Sequence, residues 1–134
     1  MSLKPDLEKI LKDLLEDLKE DVVGCAFIRL NGSMIAAKLP SGEDEQKIAT
    51  LSATINDAAN KLCGSLKRGE LLRTLIEGSD GKIVFMPIGR SVVLVAVTSG
   101  EPNLGLILIE MEKAAEYVKD LLRKPRRSEF LSPV

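Results

Sequence analysis

GKIVFMPIGRSVVLVAVT, Gly81 to Thr98, holds two apolar, β-branched runs, Lys82–Ile88 and Ser91–Thr98, separated by Gly89-Arg90. The spacer has the length and glycine content of a tight hairpin turn, so the two runs are expected to be antiparallel neighbours. The second run is the more informative. Val92, Val93, Leu94, Val95, Ala96 and Val97 show no polar alternation, so both faces of this strand must be covered. Such a strand belongs in the middle of a sheet with helices on both sides, and the rest of the chain has to supply its neighbours.

On the N-terminal side of the hairpin, Glu70–Gly78, ELLRTLIEG, mixes Leu71, Leu72, Leu75 and Ile76 with Arg73 and Thr74. A charge inside a short apolar run suits an edge strand, where it discourages indiscriminate pairing. Ser79-Asp80-Gly81 then turns the chain into the hairpin. Further back, Val22–Leu30 and Ser33–Leu39 flank Asn31-Gly32, the strongest short-range signal for a second hairpin.

Three helices fill the intervals. Leu7, Ile10, Leu11, Leu14 and Leu18 recur at helical spacing and predict a helix from about Asp6 to Lys19, with Pro5 punctuating its first turn. After Pro40, Ser41 is a candidate cap for a helix reaching about Leu66, with Glu43, Asp44 and Glu45 suited to the positive end of its dipole. The third, Asn103 to Arg123, has Asn103 as its cap and an apolar stripe from Leu104 to Leu122. Leu106–Ile109 alone would pass for a strand, and only the continuing three-and-four pattern favours a helix.

The second helix carries two stripes. Ile48, Leu51, Ile55, Ala58, Leu62 and Leu66 read as its core face. Ala49, Ser52, Ala53, Asn56, Asn60, Cys63 and Gly64 are small or uncharged where a solvated face normally holds Lys and Glu, and read as a contact surface that another helix can approach closely. The alternative is a helix lying deeper in the domain.

A chain of 134 residues is large enough for one core without disulfide or metal staples, so residues 1–123 are expected to form a single domain, with 124–134 a flexible basic C-terminal tail. The tail, KPRRSEFLSPV, has a second reading as a docking peptide for an acidic partner. A net charge of −1 creates no field for nucleic acid or anionic membrane, and 3% aromatic residues leave few stacking platforms for bases. The absence of histidine removes both the commonest general base at neutral pH and the commonest zinc ligand. Cys25 and Cys63 are too few and too far apart for a metal knuckle or a redox pair, and read as buried free thiols. Gly78-Ser79-Asp80-Gly81-Lys82 imitates a phosphate-binding loop but lacks its spacing, with Ile83 where the magnesium-binding hydroxyl would stand. No catalytic residue, metal or cofactor is expected. The charged N-terminus and the lack of a long apolar run point to the cytoplasm, without membrane insertion.

Helix, strand, strand, helix, strand, strand, strand, helix is the resulting order. With VVGCAFIRLNGSMIA (Val22–Ala36), the small-residue second helix, the strands from Leu71 to Val97 and the Asn103-Leu104-Gly105 helix start, the chain resembles the roadblock family of dynein-light-chain and GTPase-regulator proteins from about Leu7 to Leu122. The resemblance implies an α+β, profilin-like architecture: a five-stranded antiparallel sheet of order 2-1-5-4-3, the second helix on one face and the other two on the opposite face. It also implies a two-fold homodimer in which third strands pair and second helices meet. The dimer or partner interface would then use Ala49, Ser52, Ala53, Asn56, Asn60, Cys63, Arg73, Thr74 and Leu75. Family members regulate or scaffold small Ras-like GTPases or link cargo to motors, so the implied function is non-catalytic binding of such a GTPase. None of Arg29, Arg68, Arg73 and Arg90 has a context marking an inserted arginine, and the resemblance implies that any activation would reshape the GTPase's own switch loops. A heterodimer with a paralogue stays open. The rival is a small-molecule sensor domain of PAS or profilin-like topology; few aromatics and no obvious polar residues directed into a core cavity weigh against it.

Overall fold

A computed structural model describes residues 3–123. The elements follow the expected order: α1 (Lys4–Asp17), β1 (Val22–Arg29), β2 (Met34–Lys38), α2 (Glu45–Ser65), β3 (Thr74–Gly78), β4 (Gly81–Ile88), β5 (Val92–Thr98) and α3 (Leu104–Arg123). The five strands form one sheet, β2-β1-β5-β4-β3, with every neighbouring pair antiparallel. β5 lies at its centre. Five of its seven residues are buried apolar side chains, as the unbroken Val/Leu/Ala run requires.

Alternation along β5 feeds two separate cores. Val92, Leu94 and Ala96 join Phe27, Met86 and Ile88 beneath α1 and α3, where Leu7, Leu11, Ile107 and Met111 close the layer. Val93 and Val95 turn the other way, with Ala26, Ile28 and Phe85, toward Ala49 of α2. The sheet is therefore a shared wall, and replacing a β5 residue perturbs only one of the two helical layers.

Local chemistry explains where elements begin and end. Asn31-Gly32 makes the β1–β2 turn, with Asn31 Oδ1 accepting from the Ser33 amide at 3.0 Å. The β4–β5 turn is one residue longer than expected: Ile88 pairs with Val92, so Gly89, Arg90 and Ser91 form the loop and Arg90 stands at its middle. Gly81 opens β4 at a φ of +155°, and a Cβ there would lie 2.7 Å from the Thr98 carbonyl oxygen, so only glycine fits. Thr98 uses its hydroxyl twice, accepting from the Lys82 amide and donating to the Ser99 carbonyl, each at 2.8 Å.

Several boundaries depart from the sequence reading. α2 is capped by Asp44, whose Oδ1 accepts from the Lys47 amide at 3.1 Å, and not by Ser41. Gly42 has a φ of +89°, which breaks any helix starting at Ser41. α1 begins at Lys4, with Pro5 inside its first turn, where its missing amide hydrogen costs nothing. β3 starts at Thr74 and not at Glu70; residues 70–73 are a connection without strand pairing. Asn103 caps α3 as expected, its Oδ1 accepting from the Leu106 amide at 3.1 Å. The proposed tail, 124–134, lies outside the described residues.

Candidate interaction surface

α2 lies on the sheet in the orientation opposite to the one its leucines suggested. Ala49, Ser52, Ala53 and Asn56, read from the sequence as a free contact surface, are only 0, 5, 7 and 4% exposed and face the protein's own sheet. Leu51, Leu62 and Leu66, read as the core face, are 53, 60 and 60% exposed. Ile48 and Ile55 sit half-buried between the two sectors. Volume accounts for the inversion. Ile28, Phe85, Val93 and Val95 already fill the space above the strands, so a helix reaches van der Waals contact only by presenting small side chains. The alternative of a deeper helix is thus the correct one for the first half of that stripe. Farther along, Asn60 is exposed and Cys63 half-buried.

One edge of the sheet is open. β3 pairs with β4 alone, leaving its outer backbone groups unpaired within the sheet. Leu75 on this strand is 47% exposed. Ile55 of α2, Ile76 of β3 and Ile83 of β4, all partly buried, pack against the same core cluster, so α2 and the inward face of β3 lie on one side of the sheet. Thr74, at the start of the edge, has a buried Oγ1 with no hydrogen-bond partner. Arg73 lies just before the strand, its Nη1 3.8 Å from Glu112 Oε1 of α3 in a solvent-exposed ion pair of small energetic weight. A single copy therefore presents apolar side chains and unpaired backbone together, a combination suited to association with another protein.

The chemistry of the remaining candidates is quieter. Burial pushes the Cys25 thiol up to about 12, against the opposing charge of Lys38, so it stays protonated at neutral pH. Its Sγ lies 3.6 Å from the Leu11 carbonyl oxygen, tying β1 to α1. Of the four arginines considered, Arg68 closes its own turn by donating from Nε to the Leu66 carbonyl at 3.1 Å, and Arg73 is the one paired with Glu112. Among the described residues no helix is long and apolar enough to cross a membrane.

Comparison with known proteins agrees with this geometry. The model of the Roadblock/LC7 domain family matches residues 10–98. The uncharacterized protein MJ1340 of Methanocaldococcus jannaschii is 31% identical over 113 residues, covering 84% of this chain and 96% of that protein. MglB of Myxococcus xanthus superposes with a TM-score of 0.82 at 20% identity, over 87% of this chain and 94% of that one. Profilin IA of Acanthamoeba castellanii shares the topology more loosely, with a TM-score of 0.59 at 16% identity over 90% of this chain and 98% of that one.

Proposed function

The chain belongs to the Roadblock/LC7 domain family, and on that premise we propose that it is a regulator or scaffold that pairs as a homodimer and binds a small Ras-like GTPase. The observations that carry the reading are the exposed Leu51–Leu62–Leu66 stripe of α2 and the open edge of β3. Two copies related by a two-fold axis would join their β3 edges into a continuous sheet and bring the leucine stripes together. Such an interface should bury an area in the standard range, about 1,200 to 2,000 Å². The surface residues of this reading are Leu51, Leu62 and Leu66 with Asn60, Cys63, Arg73, Thr74 and Leu75. The buried Ala49, Ser52, Ala53 and Asn56 hold α2 in place beneath them.

GTPase binding rests on family membership together with a sequence that has no phosphate-binding loop of its own, so the partner would supply both phosphate cradle and magnesium site. The test is affinity capture on the full chain from its source cells, followed by reconstitution with the purified GTPase loaded with GTP or GDP. A regulator discriminates between the two nucleotide states, whereas equal affinity for both shifts no equilibrium. Tight GTP binding by the isolated, nucleotide-stripped chain would overturn the proposal.

A further inference from the structure

Gly78 and Gly81 pair directly across the two-residue turn Ser79-Asp80, so they exchange both backbone hydrogen bonds. Hydrogen-bonded and non-hydrogen-bonded pairs alternate along an antiparallel ladder, which commits the N–H and C=O groups of Gly78, Ile76 and Thr74 to β4. Leu75 and Glu77 therefore turn theirs outward along the open edge, and Arg73 does the same once the strand is extended by one residue. The side chains of these three share a face. Leu75 lies opposite Val84, a member of the core beneath α1 and α3, and Arg73 reaches Glu112 of α3. The edge thus shows a cation, a leucine and a carboxylate, each two residues from the next, on one side of the sheet.

Both charges are only lightly held within their own copy. Arg73 Nη1 stands 3.8 Å from Glu112 Oε1 and Glu77 Oε2 3.1 Å from Lys82 Nζ, with the Arg73 side chain 45% and the Glu77 side chain 71% exposed. A guanidinium and a carboxylate each keep capacity for a second partner. A two-fold axis at this edge allows only registers that oppose outward-facing residues. Centred on Glu77, the pairing sets two carboxylates against each other, which is destabilising. Centred on Ile76, it sets each Leu75 against Glu77 of the other copy. Centred on Thr74, it sets Arg73 against Leu75 and leaves Glu77 unmatched. Centred on Leu75, the two leucines meet on the axis and Arg73 of each copy stands opposite Glu77 of the other, so that apolar and opposite-charge pairs are matched throughout.

We propose that the homodimer joins its β3 strands in the Leu75-centred register, with two reciprocal Arg73–Glu77 ion pairs selecting a second copy of this chain as the partner. The proposal rests on the homodimer reading and adds to it which residues meet. Each intercopy pair links the two in-copy pairs into one row, Glu112, Arg73, Glu77, Lys82, running across the junction. An edge without this order of cation, leucine and carboxylate would oppose mismatched groups, so the same row discriminates against other strands.

The test begins with sedimentation equilibrium of the full chain, which establishes the dimer itself. Thr74→Cys, Leu75→Cys, Ile76→Cys and Glu77→Cys, each combined with Cys63→Ser, are then oxidised with diamide. Directly opposed, hydrogen-bonded residues have Cα atoms about 5.5 Å apart, inside the disulfide range of about 4.4–6.8 Å, whereas residues one step off the axis fall beyond it. Only Leu75→Cys should cross-link. Arg73→Glu and Glu77→Arg should each raise the dimer Kd by about tenfold or more, since both intercopy pairs become repulsive. Mixing the two variants should restore association, because each copy then opposes the other with two opposite-charge pairs. Should Leu75→Cys sediment as a monomer, the mixing result decides. Cross-linking at 74, 76 or 77 instead of 75, charge variants that associate alone as tightly as wild type, or a mixture no tighter than its components would each overturn the register while leaving the dimer standing. A monomeric wild type would overturn the homodimer reading and the register with it.

Discussion

Leu62→Ala separates folding from association on α2. Leu62 is 60% exposed in the single chain, and complete burial of a leucine side chain is worth about 1.5–3 kcal/mol. Covering only the part still reached by water gives about 1–2 kcal/mol per side chain. In a two-fold dimer the residue appears twice, for about 2–4 kcal/mol, and truncation to alanine removes most of it. The dimer Kd should therefore rise roughly 10- to 300-fold. Sedimentation equilibrium across a concentration series reads that change directly, and denaturant unfolding below the dimer Kd serves as the control. There Leu62→Ala should shift stability by less than about 0.5 kcal/mol, as surface substitutions usually do. Ala49→Leu reports the opposite way: Ala49 is 0% exposed, and overpacking against the sheet should cost about 1–3 kcal/mol of stability in the single chain. Ala53→Arg, which the sequence alone would offer as an interface mutant, places a charge at a 7% exposed position and should unfold the chain. A wild type that sediments as a monomer at micromolar concentration, or a Leu62→Ala chain that associates as tightly as wild type, would refute the assignment of the leucine stripe.

Three further outcomes follow from individual contacts. The Cys25 thiol is raised from 9.0 to about 12, so the unfolded chain releases this proton before the folded one; its contribution to stability is whole below about pH 9 and is lost at about 1.4 kcal/mol per unit as the pH climbs toward 12. Denaturation midpoints should fall across that window with a slope that Cys25→Ala flattens, and identical slopes for the two chains would contradict the buried-thiol assignment. Thr98→Val keeps the shape but strips the Lys82 amide of its acceptor, so it should cost about 1–3 kcal/mol in urea unfolding; a neutral result would mean water replaces the hydroxyl. Deleting 124–134 should leave stability within about 0.5 kcal/mol while slowing association with an acidic partner and flattening its salt dependence. A large loss of stability would show that Phe130 and Leu131 belong to the core.

What could be read without coordinates was whatever depends on near neighbours in the chain. Asn31-Gly32 specifies its turn through the conformations those two residues tolerate, and Asn103 caps α3 with an oxygen reaching an amide three residues on. The unbroken apolar run of β5 required burial on both faces, which put it at the sheet centre. The full order, β2-β1-β5-β4-β3, came from family resemblance, since nothing local to Val22–Arg29 says that it pairs with β5. Only the tertiary structure decided which face of α2 turns inward. Helical spacing marks both the leucine stripe and the small-residue stripe as continuous, and hydrophobicity alone favours burying the leucines. The outcome depends instead on the space left above β1 and β4 once Ile28 and Phe85 are in place, a volume set by strands distant in sequence.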